Sequence, residues 1–193
     1  MVKPRAVFID RDGVINQDSD DYIKSWEEFI FLPDSFKALS LLNQHKLIVI
    51  VITNQSAVAR KLITMDRLKE IHHRLKQKVA AHGGNIHDIF FCPHRPGDAC
   101  RCRKPQIGML EQACRKYRLK FSNTTMVGDS ATDIECARNA GCGRSVLVLT
   151  GKGVLARQEL NQRQIFPDFT ASNLFSAVQW IVDQPFAQAN RNA

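Results

Sequence analysis

Short apolar runs rich in β-branched residues alternate along the chain with stretches in which apolar positions recur every three or four residues. Ala6–Ile9, Leu47–Ile52, Thr125–Val127 and Ser145–Leu149 read as buried strands, and Ile86–Phe91 as a fifth. Between them, Phe36, Leu39 and Leu42 predict a helix that Asp34 can cap. Leu68, Ile71, Leu75 and Val79 predict a second, opened by Asp66 and stopped by Gly83-Gly84. Met109, Leu110 and Ala113 mark a third, and Ile134 and Ala137 a fourth that ends at Gly141. Leu174, Ala177, Val178 and Ile181 mark the last. Strands that alternate with helices imply a parallel sheet covered on both faces. The expected fold is therefore α/β: a Rossmann-like parallel sheet with helices on both faces, one domain over residues 1–185. Residues 186–193 have few apolar anchors and are expected to be a disordered tail.

In such a sheet, ligands bind beyond the carboxyl ends of the strands. Four segments meet that rule. Asp10 and Asp12 follow the first strand, and two carboxylates so close need a cation or a shared proton. An oxygen-rich Mg²⁺ site meets the need, whereas an Asx-turn or a helix cap would explain one of the two. Thr53-Asn54-Gln55-Ser56 ends the second strand with groups that can bond phosphoryl oxygens, although Thr-Asn is also ordinary turn chemistry. Arg103-Lys104-Pro105 puts two cations before a helix. Gly128-Asp129 through Asp133 repeats the pattern of a strand followed by acids, with Asp133 also suited to capping the next helix.

Cys92-x-His94 followed by Cys100-x-Cys102 offers three thiolates and an imidazole, a set that suits tetrahedral Zn²⁺. All four positions would be protein ligands, which makes such a zinc structural. Cys114, Cys136 and Cys142 fall in or after helical segments and read as small core residues. The remaining histidines, 45, 72, 73, 82 and 87, read as surface or helix-end residues.

Composition changes this picture little. The longest apolar run, Leu47 to Ile52, is far too short to span a bilayer, and the start carries no apolar leader. A cytoplasmic location with no membrane partner is expected. The net charge of +8 is regional: residues 60–120 carry 15 basic and 5 acidic groups, and the two flanking regions are near balance. A solvated helix face explains most of that excess, with attraction of an anionic substrate as the second reading. Aromatic residues do not interleave with the basic ones, so no nucleic-acid partner is expected.

Taken in order, Asp10-x-Asp12-Gly13, Thr53, Lys104 and Gly128-Asp129-x-x-x-Asp133 resemble the haloacid dehalogenase-like phosphohydrolase superfamily, over residues 7–133. The longer stretches Asp10–Asn16, Thr53–Ser56, Cys92-Pro93-His94 and Cys100–Pro105 are similar to its heptose-bisphosphate phosphatases, and histidinol-phosphate phosphatases share much of this text. The resemblance implies a haloacid dehalogenase-like fold with a minimal cap and a zinc-binding loop at 92–102. It implies Asp10 as nucleophile, Asp12 as general acid and base, and Thr53, Arg103 and Lys104 in catalysis. Mg²⁺ would be held by Asp10, the Asp12 carbonyl and Asp129, and structural Zn²⁺ by Cys92, His94, Cys100 and Cys102. Asp18, Ser19, Asp20 and Asp21 would touch substrate, as would Thr53, Asn54, Gln55, Ser56, Arg103 and Lys104. The implied activity removes the C7 phosphate of a heptose 1,7-bisphosphate, by a monomer, in the synthesis of nucleotide-heptose precursors. Histidinol phosphate, a nucleic-acid 3′ end, and a non-catalytic zinc module are the other readings. In one respect the chain departs from the family: Ala57 and Lys61 stand where it typically has glycine. Either those sites do not need a positive φ or this loop differs.

Overall fold

Six strands form one all-parallel sheet in the computed structural model, which describes residues 5–184. The chain runs β1 (Ala6–Ile9), α1 (Ser35–Gln44), β2 (Ile48–Asn54), α2 (Met65–Ala81), β3 (Asp88–Cys92) and α3 (Gly108–Tyr117). It continues through β4 (Thr124–Gly128), α4 (Ala131–Ala140), β5 (Arg144–Val148), α5 (Gly153–Gln162), β6 (Phe169–Ala171) and α6 (Leu174–Asp183). The strand order is β3-β2-β1-β4-β5-β6. Ile9 lies beside Val51 on one side and Val127 on the other, so β1 and β4 meet where the winding reverses. The tail expected at 186–193 lies outside the described residues.

Alternation along each strand explains the two buried faces. Val7 and Ile9 pack with α1, α2 and α6, through Leu39, Leu42, Ile71, Leu75 and Val178. Ala6 and Phe8 point the other way, toward Met109, Leu110 and Ala113 of α3 and Ala137 of α4. Burying one such aliphatic or aromatic side chain contributes about 1.5–3 kcal/mol. Cys136 is fully buried and Cys114 nearly so, as core residues should be. Helices α4 and α5 close the second face against Leu147.

Local signals placed most helices but misassigned one start and one capping bond. Thr64, not Asp66, opens α2: its side chain accepts the Arg67 N–H at 3.1 Å. Asp66 is exposed in the first turn and pairs with Lys69. Asp34 stands before α1 but makes no cap bond, and its carboxylate pairs with Lys37 at 2.7 Å. Helix α5 and strand β6 were not foreseen. Val154 and Leu155 of α5 are exposed while only Ala156 and Leu160 among its large or apolar side chains face inward, so its periodicity is blurred. Strand β6 is a three-residue edge. The basic excess on α2 is a solvated, ion-paired face, with Arg67 and Arg74 both on Glu70. Among the described residues, no helix is long and apolar enough to cross a membrane.

Residues 55–61 resolve the question of the two missing glycines. Ala57 is fully buried and does not take a positive φ, so that site tolerates a β-carbon. Lys61 does adopt the left-handed region, with φ of 60°. Holding a β-carbon there costs roughly 1 kcal/mol, partly offset because glycine has more unfolded freedom to lose. Lys61→Gly should therefore raise stability by less than about 1 kcal/mol, a gain of up to ~3 °C in Tm. A thermal melt checks this, and a lowered Tm would mean that the lysine side chain makes stabilising contacts that offset its backbone strain.

Candidate active site

The carboxyl ends of β1 and β4 bring Asp10 and Asp129 to the reversal point of the sheet. The Arg11 N–H donates to Asp10 Oδ1 at 2.7 Å, so the turn after β1 fixes that carboxylate. Asp129 is seated between two glycines. A β-carbon on Gly13 would stand 2.0 Å from its Oδ2 and one on Gly151 2.1 Å, and both glycines have positive φ. The Lys152 N–H donates to the same oxygen at 2.8 Å.

Lys104 reaches this point from the loop before α3. Its buried ammonium lies 2.9 Å from Asp10 Oδ1 and 2.6 Å from Asp133 Oδ1, and it donates to the Ile52 carbonyl at 2.8 Å. Burial alone would push its pKa down, but the two carboxylates hold it above the ordinary lysine value. Asp133 performs both of the roles its position allows: beyond pairing with Lys104, it forms a capping box with Ser130 at the start of α4.

Three carboxylates around one ammonium leave two uncompensated negative charges in a dry place. Burial, opposed by Lys104 and reinforced by Asp133 and Asp12, raises Asp10 to about 7. Burial, Asp10 and Asp133 together raise Asp129 to about 8. Oxygens of Asp10, Asp129 and Asp133 lie within 4.8 Å of one another. An all-oxygen donor set short of two positive charges fits a hard divalent cation such as Mg²⁺.

Asp12 sits in a different electrostatic environment. Burial works upward on it, but the Arg11 guanidinium and hydrogen bonds from Asn16, Arg11 and Gln55 hold its carboxyl below the usual range. Arg11 Nη2 donates to both of its oxygens at 2.8 Å, Asn16 to Oδ1 at 2.9 Å and Gln55 to Oδ2 at 2.7 Å. Gln55 also donates to Thr53 Oγ1 at 2.9 Å, which links the ends of β1 and β2. Arg11 is itself fully buried; its Nη1 donates to His72 Nε2 at 3.1 Å, and its guanidinium lies over the Phe29 ring. The surface reading of His72 was therefore wrong: the ring is 7% exposed, because its face of α2 packs over Arg11 and Phe91.

A cleft of about 280 Å³ opens over these groups. Asp10, Asp12, Thr53, Lys104 and Asp129 line its floor and wall, with Asp18, Ser19, Asp20, Asn54, Gln55, Ser56 and Arg103 around them. Asp21 is the one substrate-contact candidate not among the lining residues; it is exposed in the turn beside them. Asn54 ties Lys104 in place, accepting its backbone N–H at 3.1 Å.

The cysteine loop stands at the cleft's edge. Cys92 Sγ is 3.0 Å from Cys102 Sγ and 3.6 Å from Cys100 Sγ, and His94 Nδ1 is 3.3 Å from Cys102 Sγ. All six cysteines are free. Three thiols and an imidazole converging on one point fit a tetrahedral zinc.

Sequence reasoning missed several groups of this site. Asn16 lay within the Asp10–Asn16 text but had no assigned part. Lys152 follows β5, at a strand end that the rule for parallel sheets covers, and its ammonium pairs with Asp18 at 3.1 Å and Asp20 at 3.5 Å. The Arg11–His72 contact joins two elements and left no local signal.

The parallel sheet, the paired acids and the buried lysine define a hydrolase of the haloacid dehalogenase-like class, and the HAD-hydrolase-like family model matches residues 101–177. Among curated proteins, the D-glycero-beta-D-manno-heptose-1,7-bisphosphate 7-phosphatase of Pseudomonas aeruginosa is 48% identical over 148 residues, 77% of this chain and 83% of that one. The D-glycero-D-manno-heptose-1,7-bisphosphate 7-phosphatase of Thermosynechococcus vestitus is 39% identical over 187 residues, 91% of this chain and 94% of that one. A crystal structure of the D,D-heptose 1,7-bisphosphate phosphatase from Bordetella bronchiseptica, complexed with magnesium and phosphate, superposes with a TM-score of 0.86 at 37% identity. It covers 94% of this chain and 99% of that chain. The chain belongs to the family of D-glycero-D-manno-heptose-1,7-bisphosphate phosphatases.

The buried histidine generates a pH prediction. Burial, then Arg11, lower His72 to about 3, so it is neutral in the native state at pH 5 while the unfolded chain is mostly protonated there. Where the unfolded state binds more protons, stability rises with pH and is lost as pH falls; the window runs from about pH 6.5 down toward 3. Between pH 7 and 5 this group should cost about 2 kcal/mol of stability. His72→Gln, whose amide oxygen can still accept from Arg11, should lose that much less over the same interval in urea unfolding. An identical pH slope in both proteins would show that His72 is not buried in its neutral form.

Proposed function

We propose that the chain removes the C7 phosphate of D-glycero-D-manno-heptose 1,7-bisphosphate through a phosphoaspartate, leaving a heptose 1-phosphate for activation to a nucleotide sugar. The observation that carries the chemistry is the buried Lys104 ammonium shared between Asp10 and Asp133, beside Asp129 and open to the cleft. An Asp10 oxygen attacks phosphorus and forms the new P–O bond as the bond to the C7 oxygen breaks. Lys104 and Thr53 steady the phosphoryl oxygens, where charge concentrates. Asp12 delivers a proton to the departing alkoxide. The approach of an anionic phosphate raises its affinity for that proton. In the second step Asp12, ionised again, takes a proton from the water that attacks phosphorus, and phosphate and free Asp10 are released.

Asp10, the Asp12 carbonyl and Asp129 would hold Mg²⁺, which neutralises carboxylate and phosphate as they meet. Cys92, His94, Cys100 and Cys102 would hold a structural Zn²⁺ that stiffens the loop bearing Arg103 and Lys104. Six free thiols suit a reducing, cytoplasmic setting. The rim favours an anionic over a cationic substrate. Lys152 pairs with both Asp18 and Asp20 and offsets one of their two charges, while Arg60 and Arg103 line the same cleft with no carboxylate partner among the described residues, so the rim basic groups outnumber its acids. Histidinol phosphate, with its ammonium, would meet the wrong charge there.

A phosphate-release panel tests this reading. Heptose 1,7-bisphosphate should give the highest kcat/KM, above fructose 1,6-bisphosphate, histidinol phosphate and a 3′-phosphorylated oligonucleotide. Asp10→Asn should abolish release from all of them; a variant that keeps more than a few per cent would remove Asp10 as nucleophile. A best rate on histidinol phosphate would replace the sugar assignment.

The metals separate by chemistry. Chelation with EDTA should abolish activity and added Mg²⁺ restore it, because oxygen ligands hold that ion loosely. Elemental analysis should find about one zinc per chain surviving the same treatment. A zinc-free preparation with unchanged melting temperature would show that the cysteine loop needs no metal.

A further inference from the structure

Four basic side chains line the cleft: Arg60, Arg103, Lys104 and Lys152. Lys104 and Lys152 each meet two carboxylates. Arg60 and Arg103 meet none among the described residues. Arg60 instead lies over the ring of Tyr22, its guanidinium carbon 5.9 Å from the centroid, and Tyr22 lines the same cleft. An aromatic face orients a guanidinium without cancelling its charge.

Consecutive residues of one loop meet the guanidinium of Arg103 and the backbone just before Arg60. The carbonyl of His94 accepts from Arg103 Nη1 at 3.3 Å. The next residue, Arg95, donates through Nε at 3.2 Å and Nη2 at 2.8 Å to the carbonyl of Ala59, the peptide oxygen immediately before Arg60. The cysteine loop thus holds Arg103 directly and the backbone at Arg60 through a two-pronged contact. Two guanidiniums without carboxylate partners among the described residues thus line the cleft that holds the buried lysine and the acids, and their planar donors match phosphate oxygens.

We propose that Arg60 determines specificity by binding, with Arg103, the anionic group of the substrate that does not react, and that Arg95 is a positioning residue acting through the Ala59 carbonyl. This rests on the reading of the substrate as a sugar bisphosphate. Arg60 then contributes affinity and selectivity, not chemistry.

The test compares kcat/KM on bisphosphate and monophosphate partners of the same sugar: heptose 1,7-bisphosphate against heptose 7-phosphate, and fructose 1,6-bisphosphate against fructose 6-phosphate. Each ratio is taken on one preparation, so partial misfolding of a variant cancels. Arg60→Ala should lower the ratio by about ten- to a hundredfold for both sugars, through KM of the bisphosphate. Arg60→Lys should recover part of the loss, since it keeps the charge but not the fork. Arg95→Ala should lower the ratio less, in the same direction. An unchanged ratio in Arg60→Ala overturns the clamp, and one in Arg95→Ala overturns the latch. A wild type that ignores heptose bisphosphate, yet prefers fructose bisphosphate through Arg60, would fail the sugar assignment and leave the clamp standing. A wild type with no bisphosphate preference on either sugar defeats the clamp.

Discussion

A single buried ammonium organises the catalytic end of this molecule. Lys104 donates to a β2 carbonyl and pairs with Asp10 after β1 and Asp133 in the first turn of α4, so one cation joins three elements. Removing an ion-pair partner at such depth leaves an unmatched charge and costs several kcal/mol. Lys104 is therefore committed to structure, and in the proposed mechanism to chemistry as well. It cannot balance all three acids of the cluster, and the remaining negative charge is what makes a divalent cation fit there. The same shortage explains why Asp10 and Asp129 are shifted upward while Asp12, with Arg11 for a neighbour, is shifted downward.

Two carboxylates two residues apart in sequence thus have opposite electrostatic settings. Asp10 faces the crowded acids, and Asp12 faces a guanidinium whose far side is occupied by a neutral histidine. In the proposed mechanism these settings suit the two roles: a nucleophile needs its cation partners, whereas a proton-transfer group needs a defined orientation and a proton affinity that responds to the substrate. Asn16, Gln55 and Arg11 supply that orientation by occupying both oxygens of Asp12. The cysteine loop contributes at a longer range. It carries Lys104 into the core on one side and reaches the 55–61 segment through Arg95 on the other. Stiffening it would hold charges in place before substrate arrives, which is how preorganised sites lower barriers.

Local chemistry accounts for what could be read early. The strands β1, β2 and β4 hold short apolar runs because both faces are buried, and the groups at or just after their ends fall at the cleft because strand ends in a parallel sheet share one side. Asp10, Thr53 and Asp129 were legible for that reason. The edges were not. Strand β6 has three residues and α5 exposes Val154 and Leu155, so neither carries enough periodicity to stand out. Helix starts were off where two capping candidates lay close, as with Thr64 and Asp66.

The sequence by itself determined most of the strand-end residues that reach the cleft and which atom types the two clusters offer: oxygens in one, sulfur and nitrogen in the other. Those properties follow from residue identity and from position relative to a strand end, and both are local. Only the tertiary structure decided how the charges are shared. Lys104 with Asp133, Lys152 with Asp18 and Arg11 with His72 are partners far apart in the chain. The strength of a charge pair depends on separation and on exclusion of water, and neither exists until the sheet has closed and the helices have packed upon it. The same holds for the two guanidiniums left without acids among the described residues, Arg60 and Arg103, which the fold brings from distant parts of the chain to one cleft.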